Sequence, residues 1–190
     1  MKIKLLIFLF PISIMFSYMQ TNKVENDIKE LVDYVYKKEK ELVGRENFFP
    51  NGGKIINKGE NLSYKMLTKK GIKILAYFDY LNCSSCDVKL LEIYNEEIKK
   101  IDPNIAFIGV ICNKDEKSIY KMFDTHNISI PIIYYNSESF GEVNNLKNRT
   151  ARCKTFLLDK ENKIVLVGEP FNSEKLRMMY KKQIDKLRKS

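Results

Sequence analysis

The 190-residue chain has no tryptophan and a single histidine, His126. Without tryptophan, the large rings of a core must come from the 11 tyrosines and 11 phenylalanines. One histidine leaves no Cys–His arrangement of the kind a thiol protease needs. It also leaves a zinc site poorly supplied. Structural zinc sites usually show two CxxC or Cys/His pairs, whereas here the pair Cys83 and Cys86 is followed only by the singletons Cys112 and Cys153. His126, in "DTHNIS", reads as the closing residue of a helix. No cysteine lies near the end of the N-terminal apolar run, which argues against a lipoprotein. Basic and aromatic residues do not interleave, so the net charge of +9 does not point to nucleic acid. The densest basic run, "EKLRMMYKKQIDKLRKS", reads as the solvated face of a helix, with contact to anionic lipid or an acidic partner left open. There is no internal repeat and no low-complexity segment.

What is present begins with "MKIKLLIFLFPISIMFSYMQ". Lys2 and Lys4 precede an apolar stretch of signal-peptide length, too short for the ~20 residues of a membrane-spanning helix. No clean small-x-small pair follows, so both a cleaved signal peptide and a retained anchor are compatible with it. Either way the bulk of the chain is expected outside the cytoplasm, in the periplasm or cell envelope. The division expected from the sequence is residues 1–20 as targeting segment, 21–70 as N-terminal extension and 71–190 as the main domain. Forty-four per cent hydrophobic residues suffice for a real core.

Apolar residues at Val24, Ile28, Leu31, Val32 and Val35 have helical spacing, predicting an amphipathic helix over 24–42. "FFPNGGK" breaks it, and residues 54–70 suggest a short strand and a turn. From Gly71 the pattern is regular. "IKILAYFDY" and "IAFIGVI" read as strands buried on both faces, with Cys112 as core. Between them, Cys86, Leu90, Tyr94, Ile98 and Ile101 recur at helical spacing, and Asp102-Pro103 stops the helix. Asp115 caps a further helix with a stripe of Ile119, Met122 and Phe123. "ISIPIIYY" is strand-like, and Pro131 places it at an edge or near a strand start. A short helix over 140–146, a hairpin "TFLLD-KENK-IVLVG" and a last helix capped by Ser173 complete the order. Strands alternating with helices predict an α/β fold around a mostly parallel sheet, covered on both faces and closed by an antiparallel hairpin.

Chemistry gathers at "YFDYLNCSSCDVKL". Cys83 stands where a buried strand ends and a helix begins. Unpaired amides and the helix dipole there favour thiolate over thiol, lowering the pKa below the free value of ~8.5. Such a thiolate attacks a disulfide, and Cys86, one turn on, resolves the mixed disulfide. Ser84 and Ser85 are small enough for the ring to close. In an oxidising compartment the same pair also suits a static bridge.

A buried strand, CxxC at a helix start and the later "TFLLDKENKIVLVG" hairpin with its terminal helix resemble the thioredoxin-like superfamily. The resemblance is closest to its exported TlpA and ResA type branch and to thioredoxin-like proteins of Bacteroidota, and it covers residues 72–186. It implies a three-layer sandwich: a mixed central sheet with helices on both faces, here with an N-terminal helical extension. It implies thiol-disulfide exchange without a cofactor, Cys83 as nucleophile and Cys86 as resolving thiol. The implied partners are protein thiols and disulfides of the cell envelope, with a membrane protein as electron donor, and a monomer is expected. The chain departs from the pattern at several places. Lys154 stands where the family has a cis-proline, Tyr77 where thioredoxin has a buried acid, and the usual tryptophan and proline neighbours of the thiols are missing. Cys153 directly precedes the proline position, in a loop that faces the CxxC in this fold, and is an accessory thiol or a small semi-buried residue. Asp79, the nearest acid, is an accessory group or a strand-end carboxylate bonding local amides. Two alternatives stay open: a non-catalytic thioredoxin-like binding module, which Lys154 favours, and an envelope protein holding a metal with Cys83, Cys86 and Cys153.

Overall fold

A computed structural model describes residues 40–56, 62–69, 71–78, 84–126, 128, 130–146, 153–171 and 173–190. The chain divides into two compact units, Met1–Glu41 and Leu42–Ser190. The targeting segment over 1–20 and nearly all of the helix expected over 24–42 lie outside the described residues.

The elements of the second unit are β1 (Lys54–Ile56), α1 (Tyr64–Thr68), β2 (Lys73–Phe78), α2 (Ser84–Ile101), β3 (Ala106–Cys112), α3 (Glu116–Thr125), β4 (Ile132–Tyr135), α4 (Ser139–Val143), β5 (Cys153–Leu158), β6 (Ile164–Val167) and α5 (Glu174–Lys189). Local chemistry sets their ends. Asp115 Oδ1 accepts from the Ser118 amide at 3.1 Å and opens α3, and Ser173 Oγ accepts from the Leu176 amide at 3.1 Å and opens α5. Behind α2, Asp102 Oδ1 takes the Asn104 amide at 2.9 Å while Pro103 cannot continue the helix. In the hairpin turn Asp159 Oδ1 accepts from the amides of Glu161 and Lys163, both at 2.8 Å, and Asn162 takes the left-handed conformation (φ 64°).

One six-stranded sheet runs β1-β4-β3-β2-β5-β6. The β2/β3 and β3/β4 pairs are parallel, and β1/β4, β2/β5 and β5/β6 are antiparallel. Parallel strands buried on both faces need unbroken apolar runs, and β2 and β3 have them. Their alternation sorts residues to two sides. Ile74, Ala76 and Phe78 join Leu91, Tyr94 and Ile98 of α2, Ile119 and Phe123 of α3, and Tyr180 and Ile184 of α5. Leu75 and Tyr77 join Leu42, Leu67 of α1 and Phe140 of α4 on the opposite side. Helices thus lie on both faces, the three-layer arrangement expected from the sequence. The outer edge of β6 is covered by the chain itself. The Gly44 amide donates to Ile164 O at 2.8 Å, the Ile164 amide to Arg45 O at 2.9 Å, and Glu46 bridges Lys163.

The structure refines three local expectations. Residues 54–70 hold a helix as well as a strand: α1 has only five residues, too few to show a period, and is started by Ser63. Pro131 marks a strand start rather than an edge, because β4 begins at Ile132 and lies between β1 and β3. Residues 54–56 and 64–68, in the stretch expected as N-terminal extension, pack within the same unit as the main sheet.

Candidate functional site

The parallel strands β2, β3 and β4 all end on one side of the sheet. In α/β sheets the crevice beyond these carboxyl ends is where ligands bind. Several segments converge there: the start of α2, the turn after β3 that leads to the Asp115 cap, α4, and the first residues of β5. Helix α2 is seated by its buried stripe of Leu91, Tyr94, Ile98 and Ile101. Its first residue, Ser84, follows Cys83 in the chain, and Cys86 is its third residue. Cys83 and Asp79 themselves lie outside the described residues, as do the side chains of Cys86 and Cys153.

The strand ladder decides what stands opposite the end of β2, the strand that precedes this helix in the chain. In the β2/β5 pairing Phe78, the last residue of β2, is opposite Cys153, and Tyr77 is opposite Lys154. The backbone of residues 153–154 is therefore paired with the end of the strand from which the chain runs to the CxxC. No peptide bond among the described residues is cis, including the one that joins Cys153 to Lys154.

Lys154 is buried, with 5% of its surface exposed. Its Nζ lies 5.2 Å from the centre of the Tyr77 ring, a distance at which the ring's quadrupole attracts an ammonium. Tyr77 is fully buried and meets Phe140 at 5.3 Å with the rings tilted, and Phe140 in turn meets Phe49 at 5.7 Å and stacks on Tyr135 at 6.0 Å. Gly141 in α4 leaves room for the Tyr77 hydroxyl, since a Cβ there would overlap it. The position that carries a buried acid in thioredoxin is thus filled by an aromatic ring with a cation above it.

Cys112 ends β3 fully buried in the same cluster as Tyr77, in agreement with its reading as core. Opposite it in the ladder is Tyr135. Burial raises the hydroxyl pKa of Tyr135 well above the ordinary tyrosine value, and that of Tyr134 to about 12. Tyr134 therefore remains a donor at neutral pH and bonds Asn113 O at 2.5 Å, fixing the turn after β3. His126 closes α3, its amide donating to Met122 O at 2.9 Å. Among the described residues no three His, Cys, Asp or Glu side chains gather as a metal site.

Sequence reasoning passed over one group. Lys73 opens β2 and is only 3% exposed. Its Nζ donates to Asn162 Oδ1 at 3.0 Å, to Leu67 O at 3.4 Å and to Lys69 O. Burial lowers its pKa to about 8. A lysine at the mouth of an otherwise apolar strand was the only available signal.

No family model and no curated protein matches the chain. Solved structures do. A candidate thiol-disulfide oxidoreductase of Bacteroides vulgatus aligns with a TM-score of 0.54 at 17% identity, over 77% of this chain and 96% of that one. A candidate thiol:disulfide interchange protein DsbE of Chlorobium tepidum aligns with 0.53 at 13%, over 76% and 97%. The thioredoxin domain of a second thiol-disulfide oxidoreductase of Bacteroides vulgatus aligns with 0.50 at 17%, over 74% and 96%. The fold is thioredoxin-like. At these identities the likeness speaks for the fold alone.

Proposed function

We propose that this protein is an exported thiol-disulfide oxidoreductase, with Cys83 as nucleophile and Cys86 as resolving thiol. The observation that supports it most is the position of α2. An 18-residue helix begins at the residue after Cys83, following β2 on the side of the sheet where the parallel strands β2, β3 and β4 end. A sulfur at such a helix start is stabilised as thiolate by the amide-rich positive end. The thiolate of Cys83 attacks one sulfur of a partner disulfide, forming a mixed disulfide and expelling the partner's other sulfur as a thiolate. Cys86, deprotonated, then attacks the Cys83 sulfur. A Cys83–Cys86 disulfide forms and the partner leaves reduced by two electrons. A membrane-bound dithiol donor returns those two electrons to the pair. The solved structures of this fold cited above are described as oxidoreductases and interchange proteins, which agrees with the reading. The N-terminal apolar segment supports export to the envelope. Among the described residues no helix is long and apolar enough to cross a membrane.

A specific observation favours a second reading. Lys154 fills the proline position as a buried residue within a regular strand. A pairing surface for substrate is thereby altered, as suits a non-catalytic module with a static Cys83–Cys86 bridge. Insulin reduction with dithiothreitol as donor separates the two. The catalytic reading expects turnover by the wild type, none by Cys83→Ser, and a trapped mixed disulfide with Cys86→Ser. Absence of wild-type turnover removes it. A metal that copurifies at one equivalent and is lost in Cys83→Ser would replace both readings.

A further inference from the structure

The last helix, α5, carries seven basic and two acidic residues. The structure separates the basic ones by role. Arg177 pairs with Glu97 at 3.0 Å and Arg188 with Asp102 at 2.5 Å, tying the helix to α2 and the residue that ends it. Tyr180 and Ile184 fix the inner face in the core. The lysines at 175, 181, 182, 186 and 189 do none of this. All five are exposed, and none forms an ion pair among the described residues. Lys186 and Lys189 suit the negative end of the helix dipole, but Lys175 lies in the first turn, where the dipole opposes a cation. Lys182 and Lys186 stand one turn apart, where like charges repel. Met178 and Met179 lie among them with 60% and 43% of their surface in water.

We propose that this outward face of α5 docks on an anionic lipid surface. The charge is of one sign over most of the face, as a bilayer of acidic headgroups requires. A helix of this length spans about 24 Å, so lying flat it brings its outward lysines to the headgroup plane together. Two unbranched apolar side chains between the cations fit the boundary between headgroup and acyl chain, a use that a phosphate backbone does not offer them. The inference is independent of the redox chemistry.

The test is partitioning of the purified full chain onto vesicles of phosphatidylcholine alone and with phosphatidylglycerol added at about one-third. Uptake through the N-terminal segment, with its Lys2 and Lys4, is common to all variants, so the loss in an α5 variant relative to a charge-matched control reports α5. Wild type is expected to bind the anionic vesicles more tightly, and to lose that gain as salt rises. Each lysine near the surface contributes about fivefold. The triple variant Lys175→Gln/Lys182→Gln/Lys186→Gln is therefore expected to bind about a hundredfold more weakly. A charge-matched control, Lys117→Gln/Lys121→Gln/Lys163→Gln, removes the same charge from other exposed positions and is expected to bind like wild type. Thermal unfolding confirms that both variants fold. Equal wild-type binding to the two vesicles overturns the proposal, as does equal loss in the control. Retention on an acidic protein with none on vesicles overturns it as well.

Discussion

Replacing Lys73 by methionine reads out the electrostatics of the sheet. The amine enters β2 almost wholly buried, with three oxygens as acceptors and the Phe49 ring 5.7 Å away. No carboxylate is among those partners, and desolvation lowers the pKa from 10.5 to about 8. Between about pH 8 and 10.5 the unfolded chain holds a proton on this amine that the folded chain has released. Stability therefore climbs with pH across that window. Below pH 8 both states carry the proton and the cost of burying the charge is present in full. Each pH unit between the two values corresponds to about 1.4 kcal/mol, so the climb attributable to Lys73 is at most about 3 kcal/mol. The three acceptor oxygens and residual hydration keep the measured value below that limit. Lys73→Met leaves those oxygens without their donor, a penalty that does not vary with pH, and removes the titration. Urea unfolding of both proteins at pH 7, 8, 9 and 10 gives the difference in stability at each pH, and other titrating groups cancel. The expected result is a difference that moves in favour of the wild type as pH rises. A difference constant from pH 7 to 10 would refute the reasoning, because the carbonyls would then be compensating fully for the lost water.

The remaining predictions concern the seat of α5 and the neighbourhood of the thiols. Gly168 has φ +116°, and a Cβ there would lie 3.1 Å from Leu176, so Gly168→Ala is expected to cost about 1–3 kcal/mol by thermal or urea unfolding. Its carbonyl accepts the buried Tyr180 hydroxyl at 2.7 Å, and Tyr180→Phe is expected to cost about 1 kcal/mol in the same assay. Lys154→Met keeps an unbranched chain over Tyr77 and removes the cation. Because Lys154 is paired with the strand that leads to Cys83, and a cation favours a thiolate, the pH dependence of Cys83 alkylation is expected to shift upward; an unchanged profile would show that Lys154 does not act on the thiols.

The sequence already showed much of this molecule, for a local reason. The apolar runs of β2 and β3, the spacing of Tyr94, Ile98 and Ile101, and the Asp115 and Ser173 caps are each set by contacts within a few residues. Their periods and turn chemistry therefore survive in one dimension. Helix α1 escaped because five residues cannot display a period. The position of Cys86 one turn into a helix was likewise readable from its flanks. Other features depend on residues far apart in the chain. That Phe78 meets Cys153, that Lys154 lies over Tyr77, that Gly141 makes room for the Tyr77 hydroxyl, and that Lys73 is held by Asn162 are facts of register and packing. No pattern along the chain encodes them, because a strand's alternation fixes which residues share a face but not which partner lies opposite. The sequence by itself determined the elements and the chemistry placed at one helix start. The tertiary structure alone decided which residues stand opposite the end of the strand that leads there, because only closure of the sheet brings β5 beside β2.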